Sequence, residues 1–385
     1  MIKRVLFFVA CILSIIKGNT QTVYHEQYRP QIHFSPKEHW VNDPNGMVYN
    51  EGIYHLFFQY FPGGTVWGPM HWGHATSKDL IHWQQQPIAL YPDNLGYIFS
   101  GSAVVDKKNT SGFGKNGKIP LVAIYTNHDP KGEKAGTKTF QNQSIAYSLD
   151  NGKTWSRPTD ITLQVNRINQ PDVNPLWNFK EDWRTYANTP GHALQFHEGK
   201  YKGRIYVAAN HSSGDPKPEL RDYQAHGYYS DDHGATFHLS ETVPFEGSNE
   251  STAAQLTHNS LMMNSRNQTG KYRVVSLSKN GGETWDTTYV DYNLPDPICE
   301  GSLLNIGTKE DKSILAFCNN DYQKERDSLT LRISFDAGKT WKKKVLIDPK
   351  NTGYSDIVKL SKNTIGVLYE ADDYKEIRFT VVKWE

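Results

Sequence analysis

One short pattern occurs four times in this sequence and constrains the fold more than any other feature. It reads Ser-x-Asp/Asn-x-Gly-x-Thr followed by Trp or Phe, and its copies are residues 148–155, 230–237, 278–285 and 334–341. The Asp or Asn side chain bonds its own backbone, and the Gly supplies the positive φ of a tight hairpin. The Thr and the aromatic residue then begin an outgoing strand. The pattern predicts four β-hairpins of one design.

The spacing of these turns indicates a repeated sheet. The copies are separated by 82, 48 and 56 residues, which leaves room for a four-stranded unit between one turn and the next. Repeated four-stranded units are the blades of a β-propeller. The sequence therefore predicts an all-β fold, a β-propeller in which the four turns build blades and carry no catalytic role.

The composition limits the kinds of partner. Trp, Tyr and Phe number 10, 22 and 16, a load that suits both packed blades and surfaces that stack on sugars. The formal net charge is +1 and no long run has one sign, so neither nucleic acid nor an anionic membrane surface is an expected partner. We expect a monomer that acts on a carbohydrate, with residues 21–385 as one propeller domain.

The N-terminus has the pattern of a secretory signal. Lys3 and Arg4 precede an apolar run over residues 5–16, which is too short to span a bilayer comfortably. Residues 1–20 are therefore interpreted as a signal peptide, and the mature chain as secreted or periplasmic, without a transmembrane segment. A lipoprotein anchored through Cys11 is the alternative.

Two cysteines remain after such a cleavage, Cys299 and Cys318. Export permits them to form a disulfide, and burial as separate thiols is the alternative. No spacing of Cys and His in the sequence matches a zinc site. Neither a metal nor another cofactor is expected.

A carboxylate in the first part of the chain is the clearest candidate for chemistry. Residues 39–46 read His-Trp-Val-Asn-Asp-Pro-Asn-Gly, which places Asp43 on a stiff turn beside an aromatic side chain. From these residues alone a capped turn without catalytic function explains the pattern as well.

The sequence around Asp43 resembles the β-fructosidase family of invertases, levanases and inulinases. The resemblance covers residues 30–155 and is carried by the stretches 40–46, 55–60, 67–74, 77–83 and 99–103. It implies a retaining glycoside hydrolase on a five-bladed propeller, with Asp43 as the nucleophile and Trp67 lining the sugar pocket. The family's Arg-Asp-Pro element is absent, and Cys299-Glu300 reverses the order of its Glu-Cys acid motif.

The second part of the chain resembles the exo-sialidases, which are six-bladed propellers. Residues 156–385 carry this resemblance in the stretches 183–192, 249–250, 261–266, 294–302, 354–355 and 365–370. It implies that Tyr354 is the nucleophile and Glu250 its activating base, because a neutral tyrosine avoids repulsion by the carboxylate of a sialic acid. The first arginine of the sialidase triad and its acid/base Asp are not found in the chain.

Three further residues have roles that the sialidase resemblance implies. Arg266 and Arg326 match two of the three arginines that bind the substrate carboxylate, and Glu370 matches the residue that braces the first of them. We therefore expect a six-bladed propeller, with five blades as the alternative.

Three functions follow from the two resemblances. The preferred interpretation is an exo-α-sialidase of reduced activity that uses Tyr354. The alternatives are a β-fructosidase that uses Asp43 and an inactive, glycan-binding propeller. The sialidase interpretation requires the Tyr354 hydroxyl to lie within hydrogen-bond reach of Glu250.

Overall fold

The computed structural model describes residues 34–137 and 139–385, so the predicted signal peptide and Cys11 lie outside the described residues. Within them the chain forms six antiparallel sheets that follow one another in a ring. This is an all-β, six-bladed β-propeller, which confirms the predicted fold class and corrects the five-bladed alternative.

The blades are formed by consecutive stretches of the chain. The first three contain β1 (Trp40–Asn50), β2 (Ile53–Phe61), β3 (His71–Ser77) and β4 (Trp83–Gln85); β5 (Tyr97–Val105), β6 (Leu121–His128), β7 (Gln141–Ser148) and β8 (Thr159–Asp160); and β9 (Trp183–Asn188), β10 (Leu194–Gln195), β11 (Ile205–Ser213), β12 (Tyr223–Ser230) and β13 (His238–Leu239).

The remaining blades contain β14 (Ser248–Gln255), β15 (Leu261–Asn267), β16 (Tyr272–Ser278) and β17 (Thr287–Pro295); β18 (Ser302–Lys309), β19 (Lys312–Asn320), β20 (Leu329–Ser334) and β21 (Lys343–Asp348); and β22 (Thr352–Lys359), β23 (Thr364–Ala371) and β24 (Glu376–Lys383). Two short helices, α1 (Pro130–Lys134) and α2 (Thr162–Val165), lie in the second blade and in the connection to the third.

The innermost strands line the central axis, and the ring closes between the first and the last of them. β1 contacts β5 on one side and β22 on the other. A buried apolar cluster fills the seam, with Val41 and Leu56 from the first blade and Leu368 and Phe379 from the last. Phe34 adds a backbone bridge to Ile377 at the edge of the last blade. Apolar burial therefore closes the ring.

The repeated turns have the predicted geometry. In the first copy Ser148 Oγ accepts from the Gly152 amide at 2.9 Å, and Thr154 Oγ1 donates to Asp150 at 2.6 Å. The other three copies repeat the Ser-to-Gly contact. Every copy joins the third strand of a blade to the fourth, in blades two to five. In each blade the third strand runs parallel to the innermost strand, and the repeated turn follows the end of the third strand. These turns therefore lie on the face of the ring opposite to the face at which the innermost strands begin.

Cys299 and Cys318 are free and buried, so they do not form the disulfide that export would permit. Burial raises the pKa of the Cys318 thiol to about 12, which keeps it protonated and unreactive. In the described ranges no helix has the length and apolarity needed to cross a lipid bilayer.

Candidate active site

Irregularities in the innermost strands gather the polar side chains at one end of the channel. Near the start of β1, β5, β14 and β22 the register with the neighbouring strand shifts. The residues that these shifts leave without a ladder partner are Asp43, Asn45, Gly46, Phe99, Ser100, Asn249, Glu250, Gly353 and Tyr354. A β-bulge turns side chains out of the regular alternation. Side chains from four blades therefore converge at one end of the channel, which we call the mouth.

A pocket of about 240 Å³ opens at this mouth. The residues that line it come from the first four blades and are Asp43, Phe99, Ser100, Thr126, Ala187, Asn188, Pro190, Asn210, Tyr223, Asn249 and Glu250. Two carboxylates, several amides and hydroxyls, and two aromatic rings thus face a space of the size that a single sugar occupies. Such a mixture of convergent polar groups and an aromatic wall is typical of ligand sites.

Asp43 is held in place by two side-chain donors. Ser100 Oγ donates to one carboxylate oxygen at 2.5 Å, and Asn42 Nδ2 donates to the other at 2.8 Å. Its backbone has a positive φ of 35°, which is unusual for a residue other than glycine. Burial raises the pKa of the Asp43 carboxyl, and the bonds from Ser100 and Asn42 act in the opposite direction by stabilising the ionised form.

Trp67 does not line this pocket itself but contacts Phe99, which does. Its side chain is 52% exposed. Its ring meets the edge of Phe99 with centroids 6.0 Å apart, and Phe99 in turn stacks on His128 at 4.3 Å. The three rings form an aromatic wall beside Asp43, of the kind that packs against the apolar face of a sugar.

Glu250 is the second carboxylate of the pocket, and it is tied to Tyr354 and Arg266. The Tyr354 hydroxyl donates to Glu250 Oε1 at 2.6 Å, and Arg266 Nη1 donates to Glu250 Oε2 at 2.6 Å. Arg266 also donates to the Tyr354 hydroxyl oxygen at 3.1 Å. Burial and the charge of Glu250 raise the pKa of the Tyr354 phenol well above its usual value. Tyr354 therefore stays neutral and its hydroxyl donates a hydrogen bond to Glu250.

Arg326 covers the outer face of the same tyrosine. Its guanidinium carbon lies 5.6 Å from the centre of the Tyr354 ring. Arg326 donates to the Tyr374 hydroxyl at 2.9 Å and to the Ile298 carbonyl at 3.0 Å. These contacts fix Arg326 at the mouth beside Arg266.

Glu370 lies beneath Asp43 and Tyr354 and is only 2% exposed. One carboxylate oxygen accepts from the Asp43 backbone N–H at 2.8 Å, and the other accepts from the Tyr354 backbone N–H at 2.7 Å. Burial, together with the nearby charge of Asp43, raises the pKa of Glu370 to about 8. The structure thus gives Glu370 two backbone partners where the sequence suggested that it braces an arginine.

Further buried ionisable groups lie close to these residues, and the sequence analysis gave them no role in the site. His192 Nδ1 lies 2.5 Å from Asp356 Oδ1, and the Ser355 amide donates to Glu300 at 3.1 Å. Burial raises the pKa of Glu300 well above its usual value. The sequence pairs Gly191-His192 and Cys299-Glu300 were the features that could have pointed to these groups. Across residues 34–137 and 139–385 no group of three or more His, Cys, Asp or Glu is arranged to hold a metal ion.

Comparison with known families gives two matches. The model of the glycosyl hydrolases family 32 N-terminal domain matches residues 33–288, and that of the BNR/Asp-box repeat matches residues 332–343. The first match extends beyond residue 155 and includes Glu250 and Arg266. The second falls on the last of the four repeated turns.

Two curated relatives are similar to the first part of the chain. The levanase of Bacillus subtilis (strain 168) is 62% identical over 134 residues, which are 35% of this chain and 19% of the levanase. An extracellular exo-inulinase of Aspergillus niger is 54% identical over 168 residues, which are 41% of this chain and 31% of the inulinase. The matched segments thus span less than a third of either relative.

Solved structures of both kinds of propeller resemble this one. A Hadza microbial sialidase superposes with a TM-score of 0.70 at 24% sequence identity, over 89% of this chain and 66% of the sialidase. The exo-inulinase of Aspergillus awamori superposes with a TM-score of 0.52 at 25% identity, over 90% of this chain and 68% of the inulinase.

These comparisons correct the preferred functional interpretation. The prediction of an exo-α-sialidase is wrong, because the sequence matches lead to levanases and inulinases at 54–62% identity. The likeness to a sialidase at 24% identity shows the fold alone. Six blades with repeated hairpin turns are a scaffold that hosts several activities, so the scaffold does not identify the reaction.

Proposed function

Since this chain belongs to the glycosyl hydrolases of family 32, we propose that it is a retaining β-fructosidase with Asp43 as its nucleophile. The observation that carries the proposal is the position of Asp43, whose carboxylate faces a sugar-sized pocket between the donors Ser100 and Asn42. The proposed substrate is a fructoside such as sucrose, inulin or levan. The aromatic wall of Trp67 and Phe99 would pack against its fructosyl ring.

Retaining hydrolysis begins with attack of a carboxylate on the anomeric carbon. The bond to the leaving oxygen breaks as the bond from Asp43 forms, which gives a covalent fructosyl–enzyme ester. The hydrogen bonds from Ser100 and Asn42 support this role, because they stabilise the ionised carboxylate that attacks. Water then attacks the ester and releases fructose.

The second carboxylate of the reaction is proposed to be Glu250. It lines the same pocket as Asp43 and falls within the matched residues 33–288. Arg266 and the Tyr354 hydroxyl each donate a hydrogen bond to its carboxylate, and these contacts hold it in place as the general acid–base of the two steps. In this role Glu250 protonates the leaving oxygen in the first step and takes a proton from water in the second. We expect faster cleavage of fructosides whose leaving groups need little protonation, because they depend less on that acid.

Export is part of the proposal. The exo-inulinase relative from Aspergillus niger is an extracellular protein, and residues 5–16 have the composition of a signal-peptide core.

The test compares hydrolysis of sucrose, inulin, levan and β-fructofuranosyl fluoride by the wild-type chain and by Asp43→Asn. The proposal predicts release of fructose by the wild type, fastest from the fluoride, and loss of at least about 10³-fold in the variant. Asp311→Asn is the matched control, because Asp311 is exposed on the turn between β18 and β19 and Asn tolerates its φ of 55°. Failure of the wild type to cleave any of the four compounds contradicts the proposal.

A further inference from the structure

Two backbone amides at the mouth have no partner in the strand ladders. In β1 the register passes from Asn42 to Pro44, which leaves Asp43 without an opposite residue on β2. In β22 it passes from Thr352 to Ser355, so that Gly353 and Tyr354 together face one residue of β23. A buried N–H group without an acceptor is strongly unfavourable, so both amides require a partner from outside the ladder.

Glu370 supplies that partner for both amides. It is the residue of β23 opposite the irregularity in β22, between Tyr369 and Ala371, which pair with Ser355 and Thr352. Its Oε1 and Oε2 lie 2.8 and 2.7 Å from the backbone nitrogens of Asp43 and Tyr354. A side chain at Gly353 would come within 2.1 Å of Oε2, so glycine is needed there for the carboxylate to reach.

From this geometry we propose that Glu370 is a positioning residue for the nucleophile, which aims the Asp43 carboxylate by holding its backbone amide across the closure of the ring. The inference rests on the proposed function of Asp43. It assigns to the last blade a task in a reaction whose nucleophile belongs to the first blade, 327 residues away.

The local backbone explains why such a clamp is needed. Asp43 has a positive φ of 35° and is followed by Pro44, which restricts the conformation of the residue before it. Residues 43, 45 and 46 have no ladder partner, so β2 alone does not fix this segment. A strained conformation persists only where its surroundings enforce it. The hydrogen bond from the Asp43 amide to Glu370 is the contact by which the last blade holds this conformation.

The bridge also couples the charges of two carboxyl groups. Asp43 and Glu370 repel each other when both are ionised, and the charge of Asp43 adds to burial in raising the pKa of Glu370. Asp43 has two side-chain donors that stabilise its charge. The other titratable groups that act on the pair are Arg326, Tyr354, Tyr374 and Glu250. The raised pKa keeps Glu370 protonated at neutral pH, and the two donors favour the ionised form of the Asp43 carboxylate.

The test uses Glu370→Gln in the full-length chain, with kcat and KM measured on sucrose and on β-fructofuranosyl fluoride. An amide offers one acceptor oxygen and one NH₂ group, so one backbone N–H would face another donor. We expect kcat to fall by about 100-fold, the effect of a misplacement of about 1 Å, while KM changes little. Glu370→Asp keeps a carboxyl group but reaches only one amide, and we expect an intermediate loss.

Glu376→Gln is the matched control. Glu376 is also a buried glutamate of the last blade, and it pairs with Arg378 and not with the mouth. We expect its kcat to stay within about twofold of wild type, a change too small to reflect lost transition-state contacts. An equal loss of kcat in Glu376→Gln and Glu370→Gln would show a general effect of packing and would overturn the proposal.

Hydrogen exchange at the Asp43 amide gives a readout that does not depend on activity. We expect the peptide that contains Asp43 to be protected in the wild type and in Glu376→Gln, and to exchange at least about tenfold faster in Glu370→Gln, because loss of an amide's acceptor exposes it to opening. Unchanged exchange together with unchanged kcat overturns the proposal. If the wild type cleaves no fructoside, the proposed function fails, and faster exchange in Glu370→Gln still establishes the clamp.

Discussion

The hydroxyl of Ser100, on the second blade, lies 2.5 Å from the carboxylate of Asp43, on the first. The two residues sit at irregularities of neighbouring innermost strands, which turn both side chains toward the same pocket. This contact favours the form of Asp43 that the proposed attack requires, because a donor stabilises the ionised carboxylate more than the neutral one.

Removal of that donor shifts the pH dependence of the reaction. In Ser100→Ala the pKa of Asp43, already raised by burial, rises further. Because attack requires the ionised carboxylate, the acid limb of kcat/KM moves to higher pH. A hydrogen bond to a charged group contributes about 1.5–3 kcal/mol, so we expect a shift of roughly 1–2 pH units. Ser102→Ala, on the same strand, is the control, and an acid limb at the wild-type pH in Ser100→Ala would contradict the prediction.

The role of Glu250 is tested by the dependence on the leaving group. In Glu250→Gln we expect hydrolysis of sucrose to fall by about 10²–10⁴-fold, the usual contribution of general acid–base catalysis. Formation of the fructosyl intermediate from β-fructofuranosyl fluoride needs little acid, so that step should be far less affected. Azide needs no base and should restore turnover of the fluoride by forming fructosyl azide. The absence of rescue, with full activity on sucrose, would exclude Glu250 from the reaction.

Tyr354→Phe removes the phenol that donates to Glu250 but leaves Arg266 bound to the other carboxylate oxygen. We expect kcat on sucrose to fall by about tenfold, as the loss of one hydrogen bond to a charged group predicts. Tyr292→Phe, at an exposed position, is the control. A loss of activity as large as that of Asp43→Asn would instead make Tyr354 essential to the chemistry.

Glu370 makes stability depend on pH. Its pKa is about 8 in the folded chain, against an ordinary value of 4.5, so the folded state holds a proton that the unfolded chain releases. The stability that this proton confers is complete below about pH 4.5 and is lost as the pH rises toward 8. We expect the free energy of unfolding to fall by a few kcal/mol over this interval, and to fall less in Glu370→Gln. Urea titrations at pH 5 and pH 8 measure the free energy of unfolding of the wild type and of Glu370→Gln. An equal fall between these two pH values in both proteins would contradict the prediction.

The sequence was sufficient to predict the architecture because the blades are local units. Each repeated turn is stabilised by contacts within itself, such as those of Ser148 with Asp150 and Gly152, which join residues only a few positions apart. The first blade has a related turn, in which Ser77 and Asp79 make similar bonds without the Gly and Thr of the pattern. That copy was not recognised, since its geometry is kept with different residues.

The site was only partly predictable, because it depends on contacts across the ring. Asp43, Glu250 and Tyr354 were identified one by one from local resemblance. The partnership of Glu370 with the Asp43 amide joins residues 327 positions apart and uses a backbone group, which no side-chain motif records. The preference for a sialidase failed for a related reason. The positions of Arg266, Arg326 and Tyr354 belong to the scaffold of the later blades. The reaction was inferred from those positions, although a scaffold does not determine which reaction it hosts.

Identification of the residue that carries the fructosyl group tests the central claim most directly. The wild-type chain is quenched in acid during turnover of β-fructofuranosyl fluoride, digested, and its peptides are mapped by mass spectrometry. The proposed mechanism predicts one added fructosyl unit on Asp43, and no adduct in Asp43→Asn. An adduct on Tyr354, or steady turnover of the fluoride by Asp43→Asn at the wild-type rate, would contradict it.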